Sequence, residues 1–312
     1  MALQKPPPLI VITGPTATGK TRLAAQVAAV MEGEIISADS RQVFRGMDFG
    51  TGKDYADYLV NGYLVPYHLV DIADPGHEYS VFEFQQDFLR AYHHIVKRNK
   101  QPLLCGGTGL YIEAALKGYA LRRVPSNPVL RKKLQDMTWQ EMTEMLSGFR
   151  PLHNTTDTTD RERLVRAIEI EAYNKKHPAD QADYPELRPV IFCIRLEREE
   201  VRNRITRRLK NRLERGMLEE INHLIKKGLK PGQLMFYGLE YRYLTLYSTG
   251  EISYEEMFAK LNTAIHQFAK RQMTWFRRME KRGFLIHWLD GNLPMEEKVA
   301  IVLKTTQSIS RF

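Results

Sequence analysis

One run of eight residues limits what this chain can fold into more than any other feature. Gly14-Pro15-Thr16-Ala17-Thr18-Gly19-Lys20-Thr21 fits G-x-x-x-x-G-K-[ST]. Glycines in such a run let backbone N–H groups turn inward around phosphate oxygens, and the helix that starts there points its positive end at the anion. Lys20 supplies countercharge, and the Thr21 hydroxyl is a candidate ligand for Mg2+. The arrangement works only between a strand and a helix, and the flanks provide both. Leu9–Thr13 is an apolar, β-branched run; Leu23, Val27 and Val30 recur near helical spacing within Lys20–Met31. The loop predicts a diphosphate site but does not name its owner. ATP binding by a nucleotide kinase or NTPase is its commonest use.

The rest of the chain extends the strand–loop–helix unit. Glu34–Ala38, His68–Ile72 and Pro102–Cys105 read as further short strands, with a helix over Ser80–Arg98. Apolar strands alternating with helices predict an α/β fold, a P-loop-type parallel sheet core flanked by helices. Ligands of such sheets collect at the carboxyl ends of the strands. Between Tyr119 and Pro189 the strand signals vanish, and Leu164, Ala167 and Ile168 show helical spacing, so a helical insertion is expected there. The reading divides the chain into a core (1–118), the insertion (119–188) and a second part of the core (189–312). In that last part Pro189–Leu196 reads as a strand. A long helix over Glu199–Lys227 carries the stripe Ile205, Leu209, Leu213, Met217, Ile221 and Leu224. A second spans Tyr254–Arg282 with the stripe Leu261, Ile265, Phe268, Gln272, Trp275 and Met279, and Phe284–Leu289 closes as the last strand.

Two acids stand near the predicted strand ends. Asp39, just past the second strand, suits three roles: a turn cap, a water-mediated Mg2+ ligand or a general base. Asp71 resembles the metal-supporting acid of NTPases, and the sequence does not rank the two. Charge adds a partner class. Lys and Arg number 46 against 37 Asp and Glu, a formal net charge of +9, which favours a partner carrying phosphate. Cys105 and Cys193 each sit in an apolar run and read as buried thiols, neither disulfide nor metal ligand. The first residues, Met1 to Pro8, show no signal-peptide core, and no apolar run is long enough to span a bilayer. A cytoplasmic, monomeric protein without a membrane partner is the expectation.

Several segments, taken together and in order, resemble the tRNA dimethylallyltransferase (tRNA isopentenyltransferase) family. They are the Gly14–Thr21 loop, Ser37-Ala38-Asp39-Ser40-Arg41-Gln42-Val43-Phe44-Arg45-Gly46-Met47-Asp48, His68-Leu69-Val70-Asp71-Ile72, Tyr79-Ser80-Val81, Gly106-Gly107-Thr108-Gly109-Leu110-Tyr111, Arg163 with Arg166-Ala167-Ile168-Glu169, and Ala269-Lys270-Arg271-Gln272-Met273-Thr274-Trp275-Phe276-Arg277. Three segments depart from the family pattern. Tyr119–Asp160 is shorter, Gly238-Leu239-Glu240-Tyr241 replaces a Gly-Tyr-Lys-Glu-like stretch, and Lys175–Tyr184 lacks the familiar form.

The resemblance implies dimethylallyl transfer from dimethylallyl diphosphate to the exocyclic amine of an adenine, with Mg2+. That adenine lies just 3′ of the anticodon, in the anticodon stem-loop of tRNAs reading codons that begin with U. It makes Asp39 the base, Thr108 and Arg208 the partners of the diphosphate beside the loop, and Ser40, Arg41 and Gln42 the holders of the adenine. Of the two arginines one turn apart, Arg204 and Arg208, it selects Arg208. It assigns tRNA contact to Arg163 and Arg166 and, in the last long helix, to Lys270, Arg271, Gln272 and Arg277. There Lys270, Arg277 and Lys281 share a face, with Arg271, Arg278 and Arg282 beside them. The roles of Asp71 and Glu240 stay open. The competing readings are a small-molecule kinase, which explains the loop and the Mg2+ ligand but not the basic helical regions, an enzyme prenylating free AMP, which needs no long basic track, and a non-catalytic RNA-binding protein with a vestigial loop.

Overall fold

The computed structural model describes residues 6–152, 160–177 and 184–310. Its centre is a six-stranded sheet. β1 (Leu9–Thr13) leads through the loop into α1 (Lys20–Val30) and β2 (Gly33–Ser37). A small hairpin of β3 (Leu59–Val60) and β4 (Tyr63–Leu64) precedes β5 (Tyr67–His68). Then come α2 (Val81–Lys97), β6 (Gln101–Gly106) and α3 (Gly109–Lys117). The order across the sheet is β5-β2-β6-β1, continued by β7 (Pro189–Arg195) and β8 (Ile286–Asp290), and every pairing is parallel.

Both sheet faces are covered, which is why the strands are continuously apolar. Leu9, Val11, Ile36, Leu104 and Ile191 pack on Phe84 and Phe88 of α2 and Ile112 of α3. Ile10, Ile12, Ile35, Leu103 and Phe192 pack on Leu23 and Val27 of α1. Each such fully buried aliphatic side chain contributes about 2 kcal/mol. Cys105 and Cys193 are buried free thiols on opposite faces. Ser80 starts α2 with a capping box: its hydroxyl accepts from the Glu83 N–H, and the Glu83 carboxylate accepts from the Ser80 N–H.

The chain clusters into two compact units. The second is Tyr119–Pro185, so Glu186, Leu187 and Arg188 go with the sheet and not with the insertion. It contains α4 (Pro128–Gln135), α5 (Trp139–Phe149) and α6 (Arg161–Lys176), around Leu134, Met142, Leu146, Leu164 and Ile168. Of the unusual Lys175–Tyr184 stretch, residues 178–183 lie outside the described residues, as do 1–5 of the N-terminal segment and 153–159 of the shorter Tyr119–Asp160 stretch.

The sheet-bearing unit continues after β7 with α7 (Arg198–Glu214), α8 (Met217–Lys226), α9 (Pro231–Leu234), α10 (Leu239–Ser248) and α11 (Tyr254–Lys281). Met295–Ser310 forms α12. Four expectations change. The single helix over Glu199–Lys227 is two, α7 and α8, because Gly216 takes φ +110° and turns the chain left-handed. The expected stripe survives the break and is buried throughout. The strand expected over His68–Ile72 stops at His68, since Leu69 and Asp71 adopt positive φ. The stripe of α11 runs through Ala269 and Phe276 where the sequence reading places Phe268 and Trp275; Phe268 is exposed and Trp275 only partly buried. The last strand is Ile286–Asp290 in place of Phe284–Leu289, and it is followed by a helix that the sequence reading does not contain. Among the described residues no helix is long and apolar enough to cross a membrane.

Candidate active site

β1, β2 and β6 are neighbours, so the turns at their carboxyl ends meet on one edge of the sheet. The turn after β1 is the Gly14–Thr21 loop. Gly14 has φ +151°, and a Cβ there would lie 2.9 Å from the Ile194 carbonyl and 3.1 Å from Thr18 Oγ1, so only glycine fits. Ala17 adopts a left-handed φ of 63°, a conformation that costs a non-glycine residue about 1 kcal/mol. The Thr18 hydroxyl donates to Pro15 O at 2.8 Å and braces the loop from inside. Lys20 opens α1 with Nζ 3.5 Å from Pro15 O. Burial lowers its ammonium below the ordinary value, opposed by Cys105 and Asp39. A bound diphosphate would supply the countercharge that the buried ammonium lacks. The Thr21 hydroxyl faces the Cys105 thiol, which burial pushes up to about 12.

The turn after β2 carries Asp39. Its Oδ1 accepts from the N–H groups of Arg41 (2.9 Å) and Gln42 (3.4 Å), which fixes the carboxylate. The turn after β6 carries Thr108, which occupies the N-cap position of α3 without capping it. Its hydroxyl instead accepts from the Ser40 N–H at 3.1 Å, and the Thr108 N–H donates to Ala38 O at 3.2 Å. Asp39, Ser40 and Thr108 are thereby held together beside Lys20. Arg41 is exposed, and Gln42 Nε2 donates to Gly52 O at 3.1 Å. The two acids now separate. Asp71 takes Lys53 Nζ and the Tyr55 hydroxyl, each at 2.5 Å, and so braces the segment after Asp48 instead of serving a strand end.

Arg208 reaches the loop from α7. Its Nη1 lies 3.3 Å from Thr16 Oγ1, while Nη2 bonds Asp54 Oδ2 at 2.7 Å. Arg204, one turn earlier, bonds Glu200 of its own helix at 2.6 Å. Sequence reasoning missed two groups here. Arg212, nearly buried, donates to the same Asp54 oxygen at 3.1 Å. Burial, and then Arg208, bring its guanidinium down to about 10. For the Asp54 carboxyl, burial pushes upward, but Arg212 and Arg208 outweigh it and hold it below its usual range. Glu240 lines the same pocket as Thr16, Arg208 and Arg212, and burial raises its carboxyl. Nothing in the sequence paired Asp54 with residues more than 150 positions away.

The expected RNA-contacting residues divide. Lys270, Arg271 and Arg277 are exposed on α11. At about 100° per residue, Lys270, Arg277 and Lys281 fall within roughly 20° of one line, on the side away from the buried stripe. Arg278 lies over the Trp275 ring at 4.1 Å, and Arg282 pairs with the buried Glu113 at 3.5 Å. Gln272 corrects the expectation. It is buried, its Oε1 accepts from the Thr16 N–H at 2.9 Å, and its Nε2 donates to Gly107 O at 2.9 Å. It ties the phosphate loop to the turn after β6. In the insertion, Arg163 is exposed. Arg166 donates to Val124 O at 2.7 Å and to the buried Glu169 at 3.2 Å, so its guanidinium braces the insertion's own frame, while its side chain stays 40% exposed.

Among the described residues no three His, Cys, Asp or Glu side chains are grouped to hold a metal. Thr21 and Asp39 offer isolated oxygens. That donor set fits Mg2+ only as an ion taking most of its ligands from diphosphate oxygens and water.

Known proteins resemble this chain in sequence and in fold. The family model described as IPP transferase matches residues 42–279. The tRNA dimethylallyltransferase 2 of Bacteroides fragilis is 56% identical, over 94% of this chain and 96% of that protein. The tRNA dimethylallyltransferase 1 of Parabacteroides distasonis is 54% identical, over 95% and 96%. The crystal structure of the tRNA isopentenylpyrophosphate transferase of Bacillus halodurans superposes with a TM-score of 0.71 at 29% identity, over 97% of each chain. A eukaryotic dimethylallyltransferase acting on tRNA shares the fold, with a TM-score of 0.76 at 21% identity, over 97% of this chain and 80% of that one. A P-loop-type sheet with these turns at its carboxyl edge, matched to such relatives over nearly its whole length, belongs to the tRNA dimethylallyltransferase family.

Proposed function

We propose that this protein transfers the dimethylallyl group of dimethylallyl diphosphate to the exocyclic amine of the adenine 3′ of the anticodon, in tRNAs that read codons beginning with U, and releases diphosphate. The observation that carries the reading is the juxtaposition, at one sheet edge, of a phosphate loop and a fixed carboxylate. Lys20 and the positive end of α1 serve the anion, while Asp39 sits beside them with one oxygen committed to backbone N–H groups.

The chemistry follows from that geometry. The amine nitrogen forms a bond to the allylic carbon as the carbon–oxygen bond breaks, and its electron pair leaves with the diphosphate. The nitrogen must lose a proton. Oδ2 of Asp39 takes it, since Oδ1 already accepts from Arg41 and Gln42. Charge growing on the departing diphosphate is met by the loop N–H groups, Lys20, Thr108 and the Nη1 face of Arg208. Thr21 would hold Mg2+ against the diphosphate, and the ion would supply further neutralisation. The adenine reaches this edge only if flipped from its stack, where Ser40, Arg41 and Gln42 line the approach. Lys270, Arg271 and Arg277 on α11, and Arg163 on the insertion, serve the RNA backbone. The reaction belongs in the cytoplasm with its tRNA, and the enzyme works as a monomer.

Incubation with labelled dimethylallyl diphosphate and Mg2+, with total tRNA or AMP as acceptor, tests the reading. Label should enter tRNA and leave AMP untouched. Labelled AMP with unlabelled tRNA would establish the free-nucleotide reading instead.

A further inference from the structure

Arg208 is a forked group with its two ends in different places. Nη1 faces Thr16 of the phosphate loop at 3.3 Å, and Nη2 is held by Asp54 at 2.7 Å. A second guanidinium, Arg212, claims the same Asp54 oxygen at 3.1 Å. Two guanidiniums side by side repel, and the Asp54 carboxylate that both of them bond offsets that repulsion. The backbone is shaped for it. Gly52 has φ +77°, and a Cβ there would lie 2.7 Å from Arg212 Nη2 and 3.1 Å from Arg208 Nη2.

The segment bearing Asp54 is itself fixed. Glu220 accepts from the N–H groups of Asp48, Phe49 and Gly50 at 2.7 to 3.0 Å. The buried Lys53 bonds Phe44 O, Asp48 and Asp71, and Gln42 bonds Gly52 O. A carboxylate on so rigid a mount can aim another side chain.

We propose that Asp54 is a positioning residue: it holds Arg208, against the repulsion of Arg212, with Nη1 presented to the diphosphate. The role deepens the transfer reading and rests on it for its meaning, but it is testable without turnover. The sign of one effect decides. Asp54 is an acid beside an anion site. If it merely contributed field, its loss would tighten diphosphate binding. If it aims Arg208, its loss weakens binding although the site becomes more positive.

Inorganic diphosphate with Mg2+ is titrated calorimetrically against the full-length wild type, Asp54→Asn, Arg208→Ala and the double variant. Asp54→Asn should raise Kd about tenfold, the scale expected when a charge-assisted hydrogen bond to the anion loses its alignment. In the Arg208→Ala background the same change should do nothing beyond about twofold, because the residue it acts through is gone. Asp54→Glu should recover most of the affinity. Tighter or unchanged binding by Asp54→Asn, or an equal loss in both backgrounds, overturns the proposal. If the Asn variant does not fold, Asp54→Ala in the two backgrounds decides instead: weaker binding seen only with Arg208 present supports the role, and an equal or absent effect refutes it. Prenyl transfer to tRNA by the wild type, assayed in parallel, reports on the transfer reading separately.

Discussion

Asp39 has two oxygens in two situations, and the difference is testable. Oδ1 holds the turn through Arg41 and Gln42, and Oδ2 is the oxygen assigned to the proton. Asp39→Asn keeps an acceptor for the turn but removes the base. It should leave melting temperature nearly unchanged, should not weaken diphosphate binding, and should slow transfer roughly 10²-fold or more. A wild-type rate in this variant would leave Asp39 as a turn cap alone. The arginines of α7 give a second comparison. Arg208→Ala should lower kcat/KM at least tenfold, while Arg204→Ala, which only breaks a pair with Glu200 on its own helix, should stay within about twofold. Similar small effects for both would remove Arg208 from the site. At this scale, what sequence reveals depends on distance along the chain. Asp39 and Thr108 follow strands directly, so position brings them to the carboxyl edge, while their roles come from the family resemblance. Gln272 looks like part of a basic RNA-facing run, because nothing local says that its amide spans 256 positions to Thr16. Asp54 and Arg212 are invisible for the same reason.

The elements read clearly where apolar spacing is unbroken and poorly where backbone conformation decides. Leu9–Thr13 and Pro189–Arg195 are legible as strands because a sheet covered on both faces demands continuous apolar residues. His68–Ile72 carries apolar Leu69, Val70 and Ile72, yet positive φ at Leu69 and Asp71 ends the strand. α12 escapes notice because polar Lys298 and Thr306 are among its buried positions and dilute its stripe. In α11 the expected stripe is off by one residue at two places, Phe268 for Ala269 and Trp275 for Phe276, but the basic face opposite it is exposed, as the spacing predicts. Neutralising Lys270, Arg277 and Lys281 together should weaken tRNA binding and flatten its log–log salt dependence, by about one unit per phosphate contact removed. Affinity for dimethylallyl diphosphate should not move. An unchanged salt slope would take α11 out of the RNA interface. The insertion makes its own pH prediction. Burial pushes the Glu169 carboxyl up, but Arg131, the Asn127 N–H and Arg166 prevail and bring it from 4.5 to about 2. A depressed carboxyl stabilises the fold fully above its unfolded value and loses that contribution as pH falls towards 2, up to about 3 kcal/mol. Trp139 fluorescence, in the same helical unit, should report acid unfolding across that window. Glu169→Gln should destabilise the unit at neutral pH and remove this dependence; an unaltered acid transition would contradict the assignment.

For the molecule as a whole, the sheet order is what turns scattered motifs into a site. With β6 between β2 and β1, the turns bearing Asp39, Thr108 and the phosphate loop are adjacent, though they lie far apart in sequence. The α/β class and the carboxyl-edge location are legible from alternating strands and helices, since ligands of such sheets gather there. The loop alone does not separate phosphoryl from prenyl transfer, because both need the same cradle for a diphosphate. What separates them is the family: the relatives matched over nearly the whole chain are tRNA dimethylallyltransferases. The most direct measurement therefore follows both products at once: mass spectrometry of tRNA nucleosides beside diphosphate release, with dimethylallyl diphosphate, Mg2+ and ATP all present. The account predicts one diphosphate for each prenylated adenine, all of it at the position 3′ of the anticodon, with ATP unconsumed. ADP accumulating while the tRNA stays unmodified would contradict it.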